Sequence, residues 1–483
     1  MNPSLGTSRS PAFAICVIIA ALTLLDLSKI NVTLTAIERG LEASPADLQL
    51  IVVGYALSFG LALIPAGRFG DVRSRRSTLI VGLVLFVVTS LACSLAMESW
   101  QLVLGRLAQG VVAGILMPQV LGIIQQLYTG TARARAFGII GVITGLCVAL
   151  GPTLGGVLIT VGGEDWGWRF IWLMNVPLGL AVLPFAILSL PRDESGPGRR
   201  RELDLVGTSI LGLAIAAFIT PFVLTTGRGH DVPARWALLA VAAVLFWVFV
   251  RWERSYVARG KSPVVDVELM RVPSFRLGTT LTTLYFGALA SAFLLMNIFV
   301  QEGLGISPLF AGLLTLPYAA TYIASASLSP RLSVRMGLGY QVLGFSIMIV
   351  AISLTAVVGF AFPPETAGWA IAVSWGITGL GVGGLSAQNQ TFSLSEIPAA
   401  HAGVAGSINQ LGQRVGTAIG IAATSTIYLA LAPPGTSLTL ARPAFLYAMM
   451  ACVVLAVIAL WMSAVSLRRR GRGWPLAPTT PRP

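Results

Sequence analysis

The chain has 483 residues, 55% of them apolar and 11% charged, with a formal net charge of +13. An ordinary soluble domain carries about 25% charged residues, so a water-surrounded fold is excluded: it could not hide this much apolar surface. The positive charge does not mark a nucleic-acid partner either, because the basic residues are scattered through short loops instead of gathered on one face.

A helix that crosses a bilayer needs about 20 apolar residues. Runs of that kind predict helices at 12–33, 48–69, 78–97, 101–124, 134–161, 169–190, 205–226, 234–250, 274–300, 308–328, 338–359, 368–388, 402–431 and 443–466. The first of these lacks a strongly basic leader and an obvious cleavage site, so it is read as a span and not as a signal peptide. The fold class expected is all-α integral membrane, with about 14 transmembrane helices. Placing the N-terminus in the cytoplasm assigns 24 of the 32 Lys and Arg residues to cytoplasmic segments, five to external ones and three to membrane depth. That asymmetry agrees with the enrichment of basic residues in cytoplasmic loops, and it puts both termini on the cytoplasmic side of the membrane.

A weak internal repeat supports a division into halves. Gly67-Arg68-Phe69-Gly70-Asp71-Val72-Arg73 after the second helix is echoed by Pro330-Arg331-Leu332-Ser333-Val334-Arg335 after the tenth. The organisation expected is a six-helix bundle at 1–190 and a segment 191–273 holding cytoplasmic linkers with an added helix pair (205–226 and 234–250). A second six-helix bundle at 274–466 and a basic tail at 467–483 follow. Repeats of this sort are typical of secondary transporters.

Charges at membrane depth are costly and are functional candidates by default. They are Asp26 and Lys29 in helix 1, Arg106 in helix 4 and Arg414 in helix 13. Asp26 and Lys29, three residues apart, share a helix face. At about 1.5 Å of rise per residue, Asp26 and Arg106 fall at similar depth. Two roles stay open for this group: a proton-coupled Asp26 modulated by Lys29 and Arg106, or a permanent structural Asp26–Lys29 pair. One acid against three bases does not suit dications, and favours neutral or weakly anionic amphiphiles, or monovalent cations held by Asp26 alone. Gln109, Asn297 and Tyr318 are candidates for lining a substrate cavity.

No phosphate-binding glycine loop ending in Lys-Ser or Lys-Thr occurs, so no ATP drive is expected within the chain. Cys16, Cys93, Cys147 and Cys452 fall inside predicted helices without metal or disulfide spacing, and neither a metal nor a cofactor is expected. His230 and His401 fall on opposite sides of the membrane, which argues against an embedded enzyme.

Four patterns, in order along the first half, carry a family resemblance. Gly67, Asp71, Arg75 and Arg76 match the loop between helices 2 and 3 of the major facilitator superfamily, with Val72 and Ser74 as departures. Arg106-Leu107-Ala108-Gln109-Gly110 is similar to its helix 4 arginine motif. Gly151-Pro152-Thr153-Leu154-Gly155-Gly156 resembles its helix 5 antiporter motif. Trp168 to Gly179 is similar to the start of helix 6 in the fourteen-helix drug:proton antiporter branch. In addition, Leu25-Asp26-Leu27-Ser28-Lys29-Ile30-Asn31-Val32 resembles the helix 1 motif, whose acid is implicated in proton or cationic-drug recognition. Lys29 stands there in place of an apolar or small residue. The resemblance implies a monomeric, lipid-embedded multidrug efflux transporter that exchanges small amphiphilic drugs or metabolites for protons. A proton-coupled importer or metabolite exporter of the same fold is the alternative, with a membrane sensor or embedded enzyme more remote.

Overall fold

The computed structural model describes residues 9–72, 74–128, 130–191, 204–223, 233–261, 263, 269–397, 402–433 and 435–470. Among these no strand occurs. The helices are α1 (Arg9–Ser28), α2 (Leu34–Leu41), α3 (Pro45–Val72), α4 (Arg75–Ser94), α5 (Ser99–Leu127), α6 (Gly130–Leu173), α7 (Asn175–Ser189), α8 (Leu205–Val223) and α9 (Leu238–Ala258). They continue with α10 (Pro273–Ile298), α11 (Pro308–Leu313), α12 (Leu316–Met336), α13 (Gly339–Ala361), α14 (Pro364–Val382), α15 (Leu385–Leu394), α16 (Ala402–Leu431) and α17 (Leu438–Arg470). Thirteen described segments are long and apolar enough to cross a membrane, and α8 contributes the shorter apolar stretch Val206–Phe218. This is a multi-pass membrane protein with the all-α class expected.

The chain forms two compact units, one of residues 1–213 with 246–264 and the other of 214–245 with 265–483. The division falls inside α8 and α9. In the first unit α3 runs along α5, α4 packs on α5 and α7, and α1 packs on α6 and α5. Phe59, Leu83, Phe86, Leu116 and Val120 fill the core between them. In the second unit α10 lies against α16 and α17, α13 against α14 and α17, and α12 against α14. Phe293, Tyr318 and Trp375 form an aromatic group there, with Tyr318 stacked on Trp375 at 5.7 Å between ring centres.

Several predicted spans are not the continuous rods expected. Helix 1 does not run to residue 33: α1 stops at Ser28, a 3-10 turn covers Lys29–Val32, and α2 restarts after Thr33. Thr33 Oγ1 donates to the Ile30 carbonyl at 2.8 Å, a local bond that competes with the α-helical ladder. The fifth and sixth spans are joined through α6, which kinks at Gly163 (φ 70°, ψ −167°), a conformation that glycine reaches without strain. Helix 9 ends in the π turn Phe299–Gly303, and the tenth and twelfth spans each break into two, α11 with α12 and α14 with α15. In hydrocarbon such breaks are tolerated only where protein covers the backbone. Hydropathy does not register them, because a span-length window averages over the few residues at each break.

Candidate functional site

Helix 1 breaks against α6, and the reason lies in the glycines of the helix 5 motif. A Cβ on Gly151 would overlap the Ser28 side chain and stand 3.1 Å from the Lys29 nitrogen, and one on Gly155 would stand 2.8 Å from the Lys29 carbonyl oxygen. Two bare backbone positions on α6 therefore admit the 3-10 turn. Ser28 Oγ fixes the contact by donating to the Cys147 carbonyl at 2.7 Å. Pro152 and Gly156 of the same motif are buried beside them.

The break sets Asp26 and Lys29 side by side, and α5 and α7 complete a closed polar network. Lys29 Nζ lies 3.2 Å from Asp26 Oδ1, and Arg106 Nη1 lies 2.5 Å from Asp26 Oδ2. Asn175, the first residue of α7, links the two charges of helix 1: its Nδ2 donates to Asp26 Oδ1 at 2.9 Å, and its Oδ1 accepts from Lys29 Nζ at 2.8 Å. Asn175 Nδ2 also lies 3.1 Å from Ser90 Oγ on α4. Arg106 Nε donates to the Ile51 carbonyl on α3 at 3.2 Å, and its Nη1 donates to Gln109 Oε1 at 2.7 Å. Gln109 Nε2 closes the ring by donating to Ser90 Oγ at 2.8 Å. The guanidinium lies over the Tyr55 ring at 4.0 Å, within cation–π range. Asp26, Lys29, Arg106, Gln109 and Asn175 are each no more than 1% exposed.

A single charge at the bilayer centre costs about 2.5–3.5 kcal/mol on insertion scales, so three at one place stand only because they satisfy one another. Both carboxylate oxygens are engaged, Oδ1 by Lys29 and Asn175 and Oδ2 by Arg106. Among the described side chains of this cluster, one acid faces two bases.

The structure thus brings Asp26, Lys29, Arg106 and Gln109 together. It places Arg414, buried on α16, in the other unit, with Asn297 and Tyr318. Asn297 Nδ2 donates to the Phe293 carbonyl at 2.9 Å, and the Phe293 ring meets Tyr318 edge-on. In the helix 2–3 loop, Gly67 and Asp71 lie in the last two turns of α3, and the side chain of Asp71, like Arg73, lies outside the described residues. Arg75 lies against Gly122 of α5, and Arg76 Nη2 donates to the Ile187 carbonyl of α7, so both bases tie helix ends together.

The site also contains Asn175, Ser90 and Trp172, whose ring is 5.9 Å from the Arg106 guanidinium, and sequence reasoning assigns none of the three to it. Asn175 had a signal, a lone amide in the apolar run Ile171 to Leu178; Ser90 had none. Asn175→Ala strips Asp26 and Lys29 of one partner each. It should cost about 1–3 kcal/mol in thermal or chemical unfolding of the detergent-solubilised protein. Asn175→Asp, which supplies the missing negative charge, should be more stable than the Ala variant; the opposite order would show that no excess positive charge resides here.

The described residues form a membrane-spanning helical chain with a buried network of paired charges at a helix break, which is the make-up of a transporter. A profile of the Major Facilitator Superfamily matches residues 16–421, and the chain belongs to that family. Among curated relatives, the probable actinorhodin transporter of Streptomyces coelicolor is 30% identical over 416 residues, covering 84% of this chain and 70% of the relative. The multidrug resistance protein Stp of Mycobacterium tuberculosis is 29% identical, covering 84% and 73%. The tetracenomycin C resistance and export protein of Streptomyces glaucescens is 29% identical, covering 82% and 72%. These relatives agree with the drug-efflux branch that the motifs resemble. Among solved structures, the xylose transporter XylE from E. coli superposes with a TM-score of 0.63 at 12% identity, covering 96% of this chain and 99% of that one. Tetrameric PepTSo2 gives 0.65 at 14%, covering 96% and 99%. At these identities the likeness concerns the fold alone.

Proposed function

We propose that this transporter exports small amphiphilic molecules across the bacterial plasma membrane in exchange for protons, by alternating access, as a monomer with both termini in the cytoplasm. The observation that carries the reading is the buried Asp26–Lys29–Arg106–Asn175 network lodged at the helix 1 break, directly against Gly151 and Gly155. A charge network joining α1, α5 and α7 across a glycine-lined contact has the parts needed to link protonation to helix movement. The export direction is supported by the names of the relatives, which speak of multidrug resistance and of tetracenomycin C resistance and export. The substrate class follows from charge: with both Asp26 oxygens occupied, the cluster holds no open site for a cation, and neutral or anionic amphiphiles fit better. Expression in a pump-deficient bacterium, challenged with dyes, biocides and antibiotics, should give resistance that a protonophore abolishes. Sensitisation of the cells would instead indicate uptake, and resistance that survives the protonophore would remove proton coupling.

A further inference from the structure

We infer that Lys29, and not Asp26, is the group that releases and regains the transported proton, with Asp26 as its standing counter-ion; this rests on the proton-coupled reading above. Asp26, Lys29 and Arg106 are at most 1% exposed, and together they carry one positive charge in excess. Arginine keeps its proton in proteins, so the balance is adjusted only at Asp26 or Lys29. A proton added to Asp26 raises the buried charge from one to two, and removes a carboxylate that accepts from Lys29, Asn175 and Arg106. A proton released from Lys29 brings the cluster to neutrality and leaves the Asp26–Arg106 pair at 2.5 Å intact.

The step balances simply: the ammonium becomes a neutral amine and the proton passes to water on whichever side is open. Asn175 serves both forms. Its Oδ1 accepts from the ammonium at 2.8 Å, and a turn of the amide would present its N–H to the lone pair of the amine.

The surroundings of Lys29 supply no second acid among the described contacts. From α1 comes Asp26, from α5 Arg106, from α4 the thiol of Cys93, 3.8 Å from Gln109, and from α3 the Tyr55 ring beneath the guanidinium. The contact from α7 is the amide of Asn175, and α6 meets the Lys29 backbone with Gly151 and Gly155. Helix α2 carries Glu38 and Arg39 in its second turn. Because Lys29 opens the 3-10 turn held on those glycines, a shift of α6 moves its backbone, and with it the access of Nζ to water.

The test is infrared difference spectroscopy on the purified full-length protein in lipid across a pH change, with and without isotope-labelled lysine. The expected result is a pH-dependent band that moves with lysine labelling and vanishes in Lys29→Arg and Lys29→Gln. A protonated-carboxyl C=O band that Asp26→Asn removes would overturn the assignment. In liposomes, Lys29→Arg, which keeps its charge permanently, should lose gradient-driven efflux of the compound returned by the resistance panel, yet retain exchange of that compound across the membrane. Lys29→Gln, a mimic of the neutral amine, should do the same, and stands in if the arginine variant fails to insert. Gradient-driven efflux at the unaltered rate in either variant refutes the role of Lys29 while leaving proton coupling in place. Protonophore-resistant pumping by the unaltered protein refutes both.

Discussion

Asp26→Asn should lower the unfolding free energy of the solubilised protein by about 3–5 kcal/mol and abolish transport, the largest effect of any single change at the site. The isosteric amide keeps the shape but leaves Lys29 and Arg106, both fully buried, without an anion between them. Removing one partner of a buried charge group is expensive because the remaining charges stay desolvated. The double variant Asp26→Asn with Lys29→Met returns the cluster to one excess charge, so it should recover part of the lost stability without recovering transport. The two single variants and the double one form a cycle in which adjacent groups couple non-additively. Thermal unfolding in detergent reads the stability arm, and efflux from liposomes reads the other. A single variant as stable as the parent would mean that water reaches the cluster.

Gly110→Val should be the second most disruptive substitution, although Gly110 carries no functional group. A Cβ there would overlap Ser58 Oγ and stand 2.5 Å from the Tyr55 carbonyl oxygen, so α3 and α5 touch backbone to backbone. Overpacking of this kind costs about 1–3 kcal/mol. The larger consequence is geometric, because Arg106 on α5 takes its Ile51 carbonyl and its Tyr55 ring from α3. Forcing the helices apart loosens both, so transport should fall further than stability does. Gly406→Ala on α16 is the control. Nothing described lies within 4 Å of its added Cβ, and a helical alanine there should be neutral or gain up to about 1 kcal/mol. Equal losses from both substitutions would show that the α3–α5 contact is not the cause, since helix propensity can only favour the alanine.

Which residues meet at the site was legible in part. Asp26, Lys29 and Arg106 declared themselves, since ionisable residues inside long apolar runs have few structural reasons to be there. Their common depth followed from helical rise. The pairing partner that completes the group did not: Asn175 stands out as a lone amide in an apolar run, but it lies 149 residues from Asp26 and nothing local joins the two. Gly151 and Gly155 were recognisable as part of the helix 5 motif, but that they face the backbone of Lys29 follows only from how α6 crosses helix 1.

The amino-acid sequence alone determined the solvent of this protein, its all-α class and the family to which it belongs. All three depend on local composition and on short motifs in order along the chain, which survive without knowledge of any contact. The tertiary structure decided where those spans break, and that Lys29 shares Asp26 with Arg106 while Asn175 joins the two charges of helix 1. These are contacts between residues distant in the chain. Hydropathy cannot report them, because an apolar helix that is continuous and one that is broken against a glycine pair spend the same residues in lipid.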